Sequence, residues 1–167
     1  KDAVAIGTGA QSTAVGGVAI GTGAKSTAES GVAIGTGAQA NNKDAISIGT
    51  GNIVSGIGSG AIGDPTIVTG NGTYILGNNN GTVDAAESGI YGNNNTVTGN
   101  ISGVRVIGNA NTVTHSNALV FGNSNITGGE TSVIVGHNST AGAQSYALGV
   151  GVDATGGGAI GIGTNVN

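Results

Sequence analysis

Cysteine, methionine and tryptophan are absent from this chain, and proline occurs once, as Pro65. Without cysteine there is neither a disulfide framework nor a thiolate metal site. The aromatic residues are four: Tyr74, Tyr91, Phe121 and Tyr146. Charge is equally scarce. Only 7% of residues are charged, against about 25% in an ordinary globular protein. Lys1, Lys25, Lys43 and Arg105 face eight carboxylates, for a net charge of −4. With no basic patch and no aromatic stacking platform, the composition argues against nucleic acid as a partner. No apolar run reaches the length of a transmembrane helix, and no secretory leader is visible. The abundant residue is glycine, 36 of 167. It does not fall at every third position, which excludes a collagen helix. Val, Ile and Leu recur in phase with it, which argues against low-complexity disorder.

That phase is the informative feature. The heptapeptide Val-Ala-Ile-Gly-Thr-Gly-Ala starts at Val4, Val18 and Val32, a spacing of 14 residues. A short fixed period means that each repeat is one coil stacked on the next, as in a solenoid. Taking the glycine after each apolar run as marker gives Gly7, Gly21, Gly35, Gly49, Gly63, Gly77, Gly92, Gly108, Gly122, Gly136, Gly149 and Gly161. The long steps place insertions near 83–88 and 99–103. Twelve coils over 1–167 form one domain. The chain opens and closes in mid-pattern and reads as a segment of something longer.

Runs of three or four apolar residues between Gly, Asn and Thr fit strands rather than helices. Side chains alternate across a strand, so the residue before each marker shares a face with the one two before it. That face is assigned to the coil interior. The position between them is also apolar, including Ile75, Ile90, Val106, Val120 and Ile134. Apolar residues on both faces argue burial on both. These five are accordingly expected to line the axis of a homotrimer. The turns after the markers change from Gly-Thr-Gly in the first four coils to Gly-Asn-x-Asn at Gly77, Gly92, Gly108 and Gly122. Gly and Asn tolerate positive φ, and stacked Asn side chains can form a ladder along the coils.

The repeated Val-Ala-Ile-Gly, followed by small residues as in Ala10–Ala14, resembles the YadA-like head of trimeric autotransporter adhesins, over nearly the whole chain. The resemblance implies an all-β fold, a left-handed parallel β-roll of about 12 short coils, homotrimeric. It implies a bacterial cell-surface location, anchored in the outer membrane through a stalk and barrel that this segment lacks. It also implies attachment to host extracellular matrix (collagen, fibronectin, laminin) or to carcinoembryonic-antigen-family receptors, and autoaggregation. Two alternatives stand beside it. One is a structural spacer without a binding site. The other is an ice-binding solenoid, which needs a long Thr row where Thr-Val-Thr appears in only two coils.

No catalytic constellation is expected, and the chain reads as no enzyme. The carboxylates fall singly at turns, where Asp commonly bonds its own backbone. His115 and His137 lie one and a half coils apart, with no carboxylate next to either to orient it. No cofactor or metal site is read. Candidate receptor-binding residues are those at the insertions, Val83, Asp84, Glu87, Asn100 and Ile101, with the stretch Ile53–Pro65 as a third region. Arg105 stands at the phase of Val4 and Val32. A charge inside a narrow coil is costly unless paired. A local register shift is therefore expected to turn it outward; otherwise it pairs with Asp84, Glu87 or Glu130.

Overall fold

The computed structural model describes residues 2–167. Among them there is no helix; the chain is a parallel β-solenoid of twelve coils, whose leading strands form one twelve-stranded sheet and whose following strands form a six-stranded and a five-stranded sheet. It divides into two compact units, Lys1–Val83 and Asp84–Asn167. In the first unit the leading strands of the coils are β1 (Val4–Ile6), β3 (Val18–Ile20), β5 (Val32–Ile34), β7 (Ile46–Ile48), β9 (Gly60–Ile62) and β11 (Tyr74–Leu76). They alternate along the chain with β2 (Gln11–Ser12), β4 (Lys25–Ser26), β6 (Gln39–Ala40), β8 (Ile53–Val54), β10 (Thr66–Val68) and β12 (Gly81–Val83). In the second unit the leading strands are β13 (Gly89–Tyr91), β15 (Arg105–Ile107), β17 (Leu119–Asn123), β19 (Val133–His137), β21 (Tyr146–Val150) and β23 (Ile160–Thr164). The strands that alternate with them form a separate sheet, β14 (Thr96–Val97), β16 (Thr112–Val113), β18 (Ile126–Thr127), β20 (Thr140–Ala141) and β22 (Asp153–Ala154).

Along the strands each residue stacks on its equivalent one coil on. Val18 pairs with Val32 and Ala19 with Ala33; Leu119 pairs with Val133 and Val120 with Ile134. The marker glycine follows from this stacking. Gly122 has φ 125°, and a Cβ there would lie 1.7 Å from the Gly136 carbonyl oxygen. No side chain fits between coils at that point, so the apolar run must end in glycine.

The coil interior receives one side chain from each strand. In the first unit it grows from Ala19 with Ser26 to Ala61 with Val68. In the second, Ile90 meets Val97, Val106 meets Val113, and Ile134 meets Ala141. Here the structure reverses the expected faces. Ile75, Ile90, Val106, Val120 and Ile134 are at most 3% exposed within a single chain, so they fill the coils and cannot line an axis between copies. The larger flanking residues, such as Ile62, Leu76, Tyr91 and Phe121, point to solvent. A coil of 14 residues is too narrow for two large side chains from one strand, so the single central position turns inward.

Three smaller corrections follow. The last marker is Gly163 rather than Gly161, because Gly149 pairs with Gly163 and Ala147 with Gly161. The extra residue expected at 83–88 lies in the turn before β12: Tyr74 aligns with Gly60, while Thr82 aligns with Ile67. Arg105 faces outward without a register shift, paired with Gly89 and Leu119, because its whole row faces outward. The insertion at 99–103 lies between β14 and β15, where the spacing puts it. It is tied back by Ala86 N–H to the Ile101 carbonyl at 2.8 Å and Gly103 N–H to Ala86 at 3.1 Å.

Candidate functional site: an exposed apolar sheet face

The leading strands carry two outward rows, one at each end of the three-residue motif. In the second unit one row runs through Arg105, Leu119, Val133 and Tyr146, and the other through Tyr91, Ile107, Phe121, Val135 and Leu148. The first unit has the same arrangement, with Val4, Ile6, Ile62, Tyr74 and Leu76 exposed. All four aromatic residues of the chain lie on these rows, each 42–49% exposed. Soluble proteins rarely leave a contiguous apolar surface of this kind uncovered unless it serves as an interaction site. The alternation of the strands produces the face, and the narrow coils force its large side chains outward.

Within the second unit the face carries one charge and one gap. Gly89 leaves a depression of about 200 Å³ bounded by Tyr91, Arg105, Ile107, Leu119 and Phe121. The stem of Arg105 leans over Gly89, where a Cβ would sit 3.6 Å from Arg105 Cδ and 3.6 Å from Tyr91 Cε2. Arg105 Nη1 donates to the Glu87 carbonyl at 2.6 Å and to the Val104 carbonyl at 2.9 Å. None of the three carboxylates considered for it serves as its partner; the ion pair found among the described residues is Lys43–Glu29, at 3.6 Å and largely solvated.

The second and third sheets present a different surface. Their outward rows are mostly polar, with Gln11, Lys25 and Gln39 in the first unit and Thr96, Thr112, Thr140 and Asp153 in the second. Ile126 interrupts the row in the second unit. In the first unit Ile53 and Ile67 interrupt it next to Pro65, flanking a depression of about 210 Å³. The stretch Ile53–Pro65 therefore supplies part of a concave patch, completed by Ile67 and Thr82.

The residues picked out at the insertions separate. Val83 is fully buried, stacked on Val68 in the first unit, so it has no surface with which to meet a receptor. Asp84 is half-buried and its Oδ1 has no hydrogen-bond partner. Glu87 and Asn100 are exposed and Ile101 is half-buried. Glu87 and Ile101 flank the bridge between Ala86 and Ser102, and the Glu87 carbonyl accepts from the guanidinium of Arg105. His115 sits at a turn against Thr114 Oγ1 at 3.0 Å, whereas His137 lies in β19. Among the described residues no group of three or more His, Asp or Glu could hold a metal ion.

The Gly-Asn-x-Asn turns build two ladders in the second unit. The inner one runs Asn95–Asn111–Asn125, each side-chain oxygen accepting the backbone N–H of the next Asn at 3.0 Å, and ends on Ser139 N–H at 3.0 Å. The outer one runs Asn93–Asn109–Asn123 at the solvent edge. The apolar outward rows are the surface that the sequence reading placed inside; the signal that locates them in most coils is side-chain size within the triplet, Val133-Ile134-Val135 being an exception. Compared with known proteins, the chain matches no protein-family model and no curated protein.

Proposed function

We propose that the chain is the head of a bacterial surface adhesin, three copies of which associate as left-handed β-rolls through the outward rows of their leading strands. Tyr91, Ile107, Phe121 and Val135 form part of the interface in this reading, in place of Ile90, Val106, Val120 and Ile134. The observation that carries it is the double apolar row, exposed in the single chain while the outward rows of the other sheets are mostly polar. The resemblance of the first three repeats to YadA-like heads supplies the adhesive function. The ligand class in this reading is host extracellular matrix or a carcinoembryonic-antigen-family receptor, and the location is the outer surface of the cell. The head performs no chemical step and uses no cofactor. A trimer would present three copies of each surface patch, and avidity then strengthens weak individual contacts.

The test has two parts. Sedimentation of the chain is expected to give a mass near three times 15.6 kDa; a folded monomer at all concentrations would overturn the assembly. Immobilised collagen, fibronectin, laminin and carcinoembryonic-antigen-family ectodomains are then screened for retention of the trimer. Binding to none of them would favour a spacer that carries a binding domain elsewhere.

A further inference from the structure

We propose that Arg105 stacks on the Tyr91 ring of an adjacent copy and so sets the axial register between copies; this rests on the assembly proposed above. Arg105 is the one charged residue in the two outward rows of the second unit. Its side chain does not stay at the level of its own coil. The Cδ lies over Gly89 and Nη1 reaches the Glu87 carbonyl, both one coil toward the N-terminus. Nη1 also holds the Val104 carbonyl, so the guanidinium bridges its own coil and that of β13, whose other outward residue is Tyr91. Nη1 has its acceptors, but Nε and Nη2 find none among the described residues.

A closed ring of copies is heterologous, so one lateral half of the face meets the other half of the next copy. The half that carries Arg105 then meets the half that carries Tyr91, whose level the guanidinium reaches through Glu87. A guanidinium entering an apolar interface needs a favourable surface, and an aromatic face supplies one by cation–π attraction. Gly89 matters twice. It removes the side chain that would hold Arg105 away from this level, and it leaves the depression of about 200 Å³ that admits a neighbour's ring. Elsewhere on the face, purely apolar contacts are indifferent to sliding by one coil. The Arg105–Tyr91 pair is not, because each copy offers it at a single level.

The test compares Arg105→Met, which keeps the stem, Tyr91→Leu, and the double variant, in the whole chain. Each single substitution is expected to raise the trimer dissociation constant roughly 10- to 100-fold, since three contacts of modest strength are lost together. The double variant is expected to be no weaker than either single one, the mark of a direct contact. Arg105→Lys is expected to fall between wild type and Arg105→Met. Multiplying effects in the double variant would overturn the contact while leaving the trimer intact. A non-additive effect on unfolding at dilutions where the chain is monomeric would place the stacking within one copy and also overturn it. A wild-type chain that never trimerises would overturn the assembly itself. Both residues are exposed in the single chain, and a retained circular dichroism spectrum at high dilution verifies that each variant folds.

Discussion

Replacing Asn111 by Ala tests the inner ladder directly. The Asn111 side chain makes four hydrogen bonds: it donates to Asn95 Oδ1 and the Gly122 carbonyl, and accepts from Asn125 N–H and Nδ2. Two of the partners keep a second bond after the change. Asn95 Oδ1 still accepts Asn111 N–H at 3.0 Å, and Asn125 Nδ2 still donates to the Gly136 carbonyl at 3.0 Å. Asn125 N–H and the Gly122 carbonyl lose this partner at a site where Asn111 is fully buried. At about 1–3 kcal/mol for each buried group left unpaired, the cost is about 2–6 kcal/mol. For a chain of this length that corresponds to a fall of roughly 5–20 °C in the unfolding midpoint. Asn109→Ala removes the equivalent rung of the outer ladder, where water replaces the lost bonds, and is expected to cost less than about 1 kcal/mol. Thermal and urea unfolding of the two variants, followed by circular dichroism, measure the contrast. Equal effects, or an Asn111→Ala midpoint within 2 °C of wild type, would refute the idea that the buried ladder holds these coils together.

Three further outcomes are expected. Ile134→Ala, in the coil interior, should destabilise by about 2–5 kcal/mol as a large-to-small core change, whereas Val135→Ser on the outward row should leave the unfolding of dilute chain nearly unchanged and weaken association; urea midpoints and sedimentation read the two effects apart. Gly122→Ala should prevent native stacking of the β17 and β19 coils, because its Cβ would lie 1.7 Å from a backbone oxygen; loss of cooperative unfolding is the measured sign, and a wild-type profile would contradict the geometry. Deleting Asn100 and Ile101 should destabilise by about 1–3 kcal/mol, because Ala86 N–H loses the Ile101 carbonyl while the shorter loop itself alters closure entropy only slightly; urea unfolding measures the cost, and an adhesion assay on the same variant shows whether the loop binds.

The period, the strands and the turns were legible because each has a local cause. Val-Ala-Ile is too short for a helix, Gly marks where coils approach closest, and Asn occupies turns that need positive φ, as at Asn94 with φ 56°. The orientation of the strands was not legible in the same way. Val106 and Ile107 are both apolar, and alternation alone does not say which enters the coil. Size does in most coils: Ala19, Ala33 and Ser47 enter the interior while the larger Ile20, Ile34 and Ile48 stay outside it; in Val133-Ile134-Val135 the largest residue is the buried one, so size does not decide that coil. Reading the triplets by volume would have turned Tyr91 and Phe121 outward and made the position of Arg105 unremarkable. The extra residue before β12 escaped because Gly-Asn-Asn-Asn matches the other Asn turns in composition and differs only in register. The last marker was misplaced because Gly161 and Gly163 both follow an isoleucine.

Because Gly7 and Gly21 are each closed over by the glycine of the following coil, the coils are in backbone contact there, and a whole 14-residue module fits without disturbing that contact. Duplicating residues 18–31 in a gene would add one more layer to the first unit and lengthen it by about 4.8 Å, the spacing between paired strands. The near-identity of the repeats at Val4, Val18 and Val32 is the pattern such duplications leave. Height is therefore a heritable quantity that can change in discrete increments, independently of the side chains that decide what the surface meets.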